Sequence, residues 1–160
     1  MAGGCYAIRS GSTGKWLARS GKGYAATATS ATTAEPIFFQ ASDLGTYLLY
    51  GKGKTFLSLA YSGDIQALTA ASASGDWNVT KSGSGFQFAL PSKKPALVVS
   101  TSGGVVAGAA SQFTLLRTTG RNTFPEIETK VHGATFAGAS QFQQVRGYLE
   151  AHTHRIASDF

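Results

Sequence analysis

The sequence predicts an all-β domain assembled from three copies of one four-stranded unit. Short apolar runs alternate with Ser and with many of the 20 glycines, a pattern typical of short strands joined by tight turns. Apolar residues also recur at a spacing of 40, as at Leu17, Leu57 and Leu97. Before the last quarter of the chain, no long stretch has helical periodicity. Together these features indicate strands, turns and internal repetition.

Three further sets of residues share the spacing of 40. These are Ile8, Leu48 and Phe88; Gly23, Gly63 and Gly103; and Ala25, Ile65 and Val105. A fifth set begins with Ile37 and Trp77, but its third member, Phe113, comes four residues early because the last connection is shorter. We expect the apolar sets to form buried layers around a pseudo-threefold axis. We expect the glycines to take positive φ in the turn before the third strand of each repeat.

Each repeat contains four predicted strands. In the first repeat they span 5–9, 16–19, 24–27 and 37–41. In the second repeat they span 47–50, 56–60, 65–67 and 77–80. In the third repeat they span 86–90, 97–100, 105–107 and 113–117.

The charge distribution predicts a domain boundary near Gly120. Residues 1–120 hold ten Lys/Arg and four Asp/Glu, whereas residues 121–160 hold four of each. We therefore expect a repeat domain at 5–119, a connector with one or two strands at 120–146, and the start of another domain at 147–160. The net charge of +6 favours acidic polymers or anionic surfaces as partners.

Several functional classes find no support in the sequence. Cys5 is the only cysteine, so no intrachain disulfide can form. No apolar run precedes Cys5, so a signal peptide is not indicated, and no segment is long enough to cross a membrane. Gly53-Lys54-Thr55 has Leu48 where a phosphate-binding loop needs its first glycine. No motif for specific nucleic-acid recognition is present.

Lysines follow the first strand of every repeat. They are Lys15, then Lys52 and Lys54, then Lys93 and Lys94. Threefold symmetry would place all five on one rim, where they could bind anions. The alternative is that hairpin tips are solvated and simply tolerate lysine.

Two histidines near the end of the sequence are the candidate metal ligands. His152 and His154 follow a predicted strand at spacing i and i+2, and alternate side chains of a strand point to the same face. The two imidazoles could therefore bind one divalent ion, for which zinc is the expected choice. His132 could supply a third ligand, although it also fits a solvent-facing position in an alternating strand.

Three repeats of four strands resemble the β-trefoil. Gly14-Lys15-Trp16-Leu17 resembles an element of the fascin-like and arabinose-binding trefoils. Ricin-type lectins carry Gln-x-Trp near each repeat end, but here Phe39-Gln40-Ala41, Asp76-Trp77-Asn78 and Gln112-Phe113-Thr114 take that place. The resemblance implies a trefoil without the ricin-type sugar motif.

The segment Gly147-Tyr148-Leu149-Glu150 and the histidine pair after it resemble the opening of amidohydrolase-type metal-dependent hydrolases. In that family the pair lies at the end of the first strand of a (β/α)8 barrel. The resemblance implies that 147–160 begins such a barrel, here truncated, and that His152 and His154 are the first two ligands of a zinc-type site. Its other ligands would lie beyond residue 160, so this chain alone would be inactive. The family resemblance also favours an extracellular location.

Three functions follow as hypotheses. In the first, the chain is the N-terminal part of a metal-dependent hydrolase, and its trefoil is an accessory domain that binds a ligand or surface such as a polysaccharide. In the second, it is a stand-alone trefoil module that binds carbohydrate or protein. In the third, it is a trefoil protease inhibitor, although the disulfides common in such inhibitors cannot form here.

Overall fold

The computed structural model describes residues 1–91 and 95–119. In this part of the chain the only helical element is one 3-10 turn, Ala73–Gly75. The twelve strands are β1 Cys5–Ser10, β2 Trp16–Ser20, β3 Gly23–Ala28, β4 Ile37–Asp43, β5 Thr46–Tyr50, β6 Phe56–Leu59, β7 Ile65–Leu68, β8 Asp76–Ser82, β9 Gly85–Ala89, β10 Ala96–Val99, β11 Val105–Gly108 and β12 Phe113–Arg117. Every predicted strand is present and overlaps its expected range, so the all-β prediction is confirmed.

Six of the strands close into a barrel. Strand β1 pairs with β4 and β12, β5 pairs with β4 and β8, and β9 pairs with β8 and β12, all antiparallel. The remaining strands form the hairpins β2–β3, β6–β7 and β10–β11. The hairpins attach to β1, β5 and β9 respectively. A barrel that carries one hairpin per repeat is the β-trefoil arrangement, and it places the three repeats around a common axis.

The three hairpins contact one another through their backbones. The N–H of Ala26 donates to the carbonyl of Gly103 at 2.8 Å, and the N–H of Ala67 donates to that of Lys22 at 2.9 Å. At Gly23 a Cβ would lie 2.6 Å from the carbonyl oxygen of Ile65, so only glycine fits there. Close approach of the hairpins therefore fixes glycine at this position.

The prediction of positive φ holds for two of the three glycines. Gly63 has φ 91° and Gly103 has φ 87°, and each lies in the turn before the third strand of its repeat. In the first repeat the positive φ falls at Gly21 instead, at 54°, and Gly23 is already the first residue of β3. The prediction for Gly23 is therefore wrong, because the first turn is tighter and its bend comes two residues earlier.

The core consists of the repeated apolar residues. Leu17, Leu57 and Leu97 are buried, and so are the sets of Ala25, Ile65 and Val105 and of Ile37, Trp77 and Phe113. The ring of Phe88 packs edge to face against Phe39 and Phe113, with centroids 6.1 and 5.5 Å apart. The predicted layers are thus confirmed for these sets.

One predicted core residue is displaced by one position. Leu49 is fully buried and occupies the place equivalent to Ile8 and Phe88, whereas Leu48 is only partly buried. Leu48 packs instead against a small separate cluster of buried residues that includes Phe38. Because a shift of one residue in a strand moves a side chain to the opposite face, two consecutive leucines could not be told apart by spacing alone.

Candidate functional site

A cleft of about 730 Å³ lies between the first repeat and the end of β12. Its lining comprises Ala18 and Arg19 of β2, the loop residues 31–36 between β3 and β4, Lys52 after β5, and residues 116–119. The lining mixes hydroxyls, charged groups and the exposed apolar side chain of Leu116. A mixed lining of this kind is suited to a ligand with both polar and apolar surface.

Local hydrogen bonds hold the loop that forms one wall of the cleft. The hydroxyl of Ser30 lies 3.0 Å from that of Thr33, and the N–H of Thr33 donates to the same Ser30 hydroxyl at 3.3 Å. Two residues later the N–H of Glu35 donates to the carbonyl of Leu17 at 2.8 Å. Pro36 then fixes φ just before β4 begins. The wall is therefore attached to the core strand β2.

Glu35 places a carboxylate at the base of this wall. Its side chain is only 8% exposed, and Oε1 accepts the backbone N–H of Lys52 at 2.7 Å. The contact ties the loop before β4 to the turn after β5. A buried carboxylate needs such donors, because its desolvation is otherwise costly. Glu35 thus joins two segments that line the cleft.

A small polar pocket surrounds Gly51 next to Glu35. A Cβ added to Gly51 would lie 2.7 Å from the hydroxyl of Tyr24 and 2.8 Å from Oε1 of Glu35. Both oxygens therefore lie close to the same point. The hydroxyls of Tyr24 and Thr55 are buried beside one another, and neither makes a hydrogen bond of good geometry among the described residues. Such groups are normally paired, often by an ordered water molecule.

Burial holds Tyr24 in its neutral form. The side chain is 3% exposed, and this desolvation raises the pKa of its phenol above the ordinary value of 10.0. The charge of Glu35 raises the pKa further, while Thr55 and Arg19 lower it by less. The phenol therefore keeps its proton, and its role as a hydrogen-bond donor, to a higher pH than an exposed tyrosine would.

Three cationic side chains line the cleft. The guanidinium of Arg19 lies 5.2 Å from the centroid of the Tyr24 ring, and its Nη1 donates to the carbonyl of Gly23 at 3.3 Å. Lys52 and Arg117 are both exposed. Because Glu35 is the one acidic residue in the described lining, the formal charge of that lining is +2.

The end of β12 completes the opposite wall. The N–H of Thr118 donates to the carbonyl of Cys5 at 2.8 Å and fixes this segment beside β1. Its hydroxyl is buried and has no partner within the described part of the chain. Thr118 therefore adds a third hydroxyl without a partner to those of Tyr24 and Thr55.

The sequence-predicted site residues are only partly placed. Lys15, Lys52 and Lys54 are exposed, as hairpin-tip residues should be, but only Lys52 lines the cleft. Lys93 and Lys94 lie outside the described residues, so the anion-binding rim stays a prediction. The same holds for His132, His152 and His154, for the domain boundary near Gly120, and for the start of a (β/α)8 barrel at 147–160.

Sequence reasoning missed the cleft residues Arg19, Glu35 and Arg117. One signal was available: Glu35 is the only acidic residue among the first 42 and stands directly before Pro36 and β4. Within residues 1–91 and 95–119, no group of three or more His, Cys, Asp or Glu side chains could hold a metal ion. The same residues contain no helix that is long and apolar enough to cross a membrane.

Comparison with known proteins identifies the fold. No protein-family model and no curated protein matches the sequence. Among solved structures, an endo-β-galactosidase from Clostridium perfringens that releases GlcNAcα1-4Gal shares 18% identity at a TM-score of 0.64. The match covers 72% of this chain and 33% of that one, so this chain spans about a third of the enzyme's length.

Two further structures resemble the chain. A Polyporus squamosus lectin bound to Neu5Acα2-6Galβ1-4GlcNAc matches 73% of this chain and 50% of its own, at 15% identity and a TM-score of 0.57. ThreeFoil, a designed 3-fold symmetric protein, matches 70% of this chain and 97% of its own, at 17% identity and a TM-score of 0.54. These likenesses agree with the strand pairing that the described part of the chain has the β-trefoil fold.

Proposed function

We propose that the chain is a carbohydrate-binding β-trefoil module and that the cleft in the first repeat is its saccharide site. The observation that carries this proposal is the composition of the cleft. It combines the buried carboxylate of Glu35, the hydroxyls of Thr32 and Thr33, the donors of Arg19 and the apolar side chain of Leu116. Sugars present hydroxyls that both donate and accept, together with an apolar C–H face. The cleft offers a partner for each of these groups.

The fold gives this proposal independent support. The Polyporus lectin with a trefoil-like fold binds a galactose-containing glycan, and the Clostridium enzyme acts on a galactose-containing one. Galactose-containing oligosaccharides are therefore the first probes to use. Because a fold accommodates many functions, the proposal depends on the cleft rather than on the resemblance.

The lining favours binding over hydrolysis. Most glycosidases use a pair of carboxyl groups on either side of the scissile bond. Glu35 is the one carboxyl group in the described lining, and its Oε1 already accepts the N–H of Lys52. Its role is that of a fixed hydrogen-bond acceptor, which suits recognition.

The test is calorimetric titration of the full chain with galactose-containing oligosaccharides. We expect Glu35→Gln, which keeps an oxygen for the Lys52 N–H, to weaken binding about tenfold through loss of a charged acceptor. Asp43→Asn is the matched control, because it removes the same charge from an exposed residue of β4 that does not line the cleft. Equal affinity of both variants and the parent would remove the cleft from the proposal, and binding of no saccharide would refute it.

The histidine pair supports a second proposal, that the chain belongs to a larger metal-dependent hydrolase. The supporting observation is the spacing of His152 and His154 after a predicted strand, and zinc is the expected ion. A zinc ion would supply a water of lowered pKa as nucleophile. The test compares bound metal in the protein extended through its downstream reading frame with that in His152→Ala and His154→Ala. Unchanged metal content in both variants would refute this proposal.

A further inference from the structure

The second strands of the three repeats, β2, β6 and β10, differ at one equivalent position. Only in β2 is the residue there positively charged. Arg19 lies two residues after Leu17, and the equivalent residues after Leu57 and Leu97 are Leu59 and Val99. Leu59 packs against the core, and Val99 is buried. At this position the second and third repeats place an apolar side chain against the core. The first repeat instead has an exposed arginine that lines the cleft.

The guanidinium of Arg19 is held in place. Its carbon lies over the ring of Tyr24 at 5.2 Å, and one of its nitrogens donates to the Gly23 carbonyl at 3.3 Å. A guanidinium carries five N–H donors, so the remaining ones are available to a ligand. An arginine whose position is fixed in advance loses less side-chain entropy when it binds an anion.

Arg117 is a second arginine in the lining of the cleft. It is exposed, and it lies next to Thr118, whose backbone is fixed to Cys5. The single negative charge of Glu35 opposes these cations only in part, because Arg19, Lys52 and Arg117 leave the lining with a formal charge of +2. Two arginines in the lining of one cleft suit the planar geometry of a carboxylate or the oxygens of a sulfate.

We infer that the saccharide bound by this cleft carries an anionic group, a carboxylate or a sulfate, which Arg19 and Arg117 recognise. The inference rests on the proposed saccharide binding and specifies its ligand class. The sugar ring then packs near Leu116 and the threonines of the 31–36 loop, with its anionic group directed to the arginines. Lys52 also lines the cleft and adds to its positive field.

The experiment titrates the full chain with pairs of glycans that differ in charge. One pair is sialyl-N-acetyllactosamine and its neutral carboxyl methyl ester, and the other is 6′-sulfo-N-acetyllactosamine and N-acetyllactosamine. We expect at least one anionic member to bind about tenfold more tightly than its neutral partner. We expect this preference to shrink in ~0.5 M salt, because exposed charges are screened.

Variants locate the effect. Arg19→Gln and Arg117→Gln should each abolish most of the preference for the anionic member, because the affinity for the anionic member should fall by more than that for the neutral member. Lys81→Gln is the control for loss of one positive charge elsewhere, and Lys15→Gln separates the cleft from the predicted lysine rim. Thermal melting of each variant confirms that it is folded.

The outcomes distinguish the inference from the proposed function. If neutral and anionic members bind equally well, the charge inference fails and saccharide binding stands. A preference that survives in Arg19→Gln and Arg117→Gln but disappears in Lys15→Gln moves anion recognition to the rim and overturns the inference. If no member binds, both fail.

Discussion

The first and second repeats differ most at one equivalent position. In the first repeat the residue two before β4 is Glu35, whose N–H donates to the carbonyl of Leu17. In the second repeat the equivalent residue is Gly75, directly before β8 and two residues before Trp77, and the carbonyl of Leu57 accepts the indole N–H of Trp77 at 2.7 Å instead. A Cβ at Gly75 would collide with the hydroxyl of Ser58. In the second repeat, Trp77 and Ser58 therefore occupy the space around this position, whereas in the first repeat the same position lines the open cleft.

The third repeat shows which part of this difference belongs to the fold. There Ser111 occupies the position, and its N–H donates to the carbonyl of Leu97 at 3.4 Å, as in the first repeat but more weakly. The backbone contact thus recurs, whereas the carboxylate of Glu35 does not. The features that recur three times build the barrel. Those that occur once, Glu35 and Arg19, are the candidates for ligand recognition.

The largest expected effect concerns the buried leucine layer that the three repeats share. Leu57→Ala should lower the free energy of unfolding by ~2–5 kcal/mol, because Leu57 is fully buried and its loss leaves a cavity. Urea denaturation followed by tryptophan fluorescence measures this directly. Leu44→Ala is the control, since Leu44 is 99% exposed, and it should change stability by less than about 0.5 kcal/mol. Equal effects would contradict the assignment of the leucine layer to the core.

Two glycines test the contrast between the first and second repeats. Gly51→Ala and Gly75→Ala each introduce a Cβ against buried side-chain oxygens, so each should cost about 1–3 kcal/mol. At Gly51 those oxygens belong to Tyr24 and Glu35, so saccharide affinity should fall as well. At Gly75 the neighbour is Ser58, and neither residue lines the cleft, so affinity should stay within about twofold.

Denaturation and titration of the same two variants measure the pair of effects. The contrast between the repeats would collapse if both variants lost affinity equally. It would be sharpened if Ser58→Ala restored stability to Gly75→Ala, because the hydroxyl of Ser58 is buried without a partner among the described residues.

A third prediction concerns pH. Because the pKa of Tyr24 is raised in the folded state, the unfolded chain loses its phenol proton first as pH rises above 10.0. The stability that Tyr24 contributes is therefore complete below that pH and is lost above it. Tyr24→Phe should flatten the fall of stability between about pH 9 and 11 relative to the parent protein. An identical slope in parent and variant would show that Glu35 and burial do not perturb this phenol.

Threefold repetition made most of the fold predictable from sequence. A buried layer must recur in each repeat, so the leucines at 17, 57 and 97 reveal both the strands and their facing side. The same argument failed at Leu48, because Leu49 beside it is also a leucine. Only the register of strand pairing decides which of the two side chains faces the core. It failed at Gly23, because spacing does not report which residue of a turn bends the chain.

The cleft could not be predicted in the same way. Glu35 and Arg19 occur in one repeat only, so no periodicity marks them. Arg117 lies near the first repeat only because β12 pairs with β1 and closes the barrel. A site formed by chain segments about 80 to 100 residues apart depends on tertiary closure, which local patterns do not encode.

The smallest expected effect tests whether the ligand binds in the cleft or at the turn between β6 and β7. Tyr61 is fully exposed in the turn between β6 and β7, close to Asp64, whose carboxylate accepts the hydroxyl of Ser62 at 2.9 Å. An exposed aromatic ring can stack on a sugar, so this turn is the strongest rival to the cleft. We expect Tyr61→Ala to change stability by less than about 0.5 kcal/mol, because the ring contacts solvent. Saccharide affinity should remain within about twofold of the parent in calorimetric titration, while Glu35→Gln loses binding under the same conditions. The reverse result would assign recognition to the second repeat, and the open cleft of the first repeat would then have a different role.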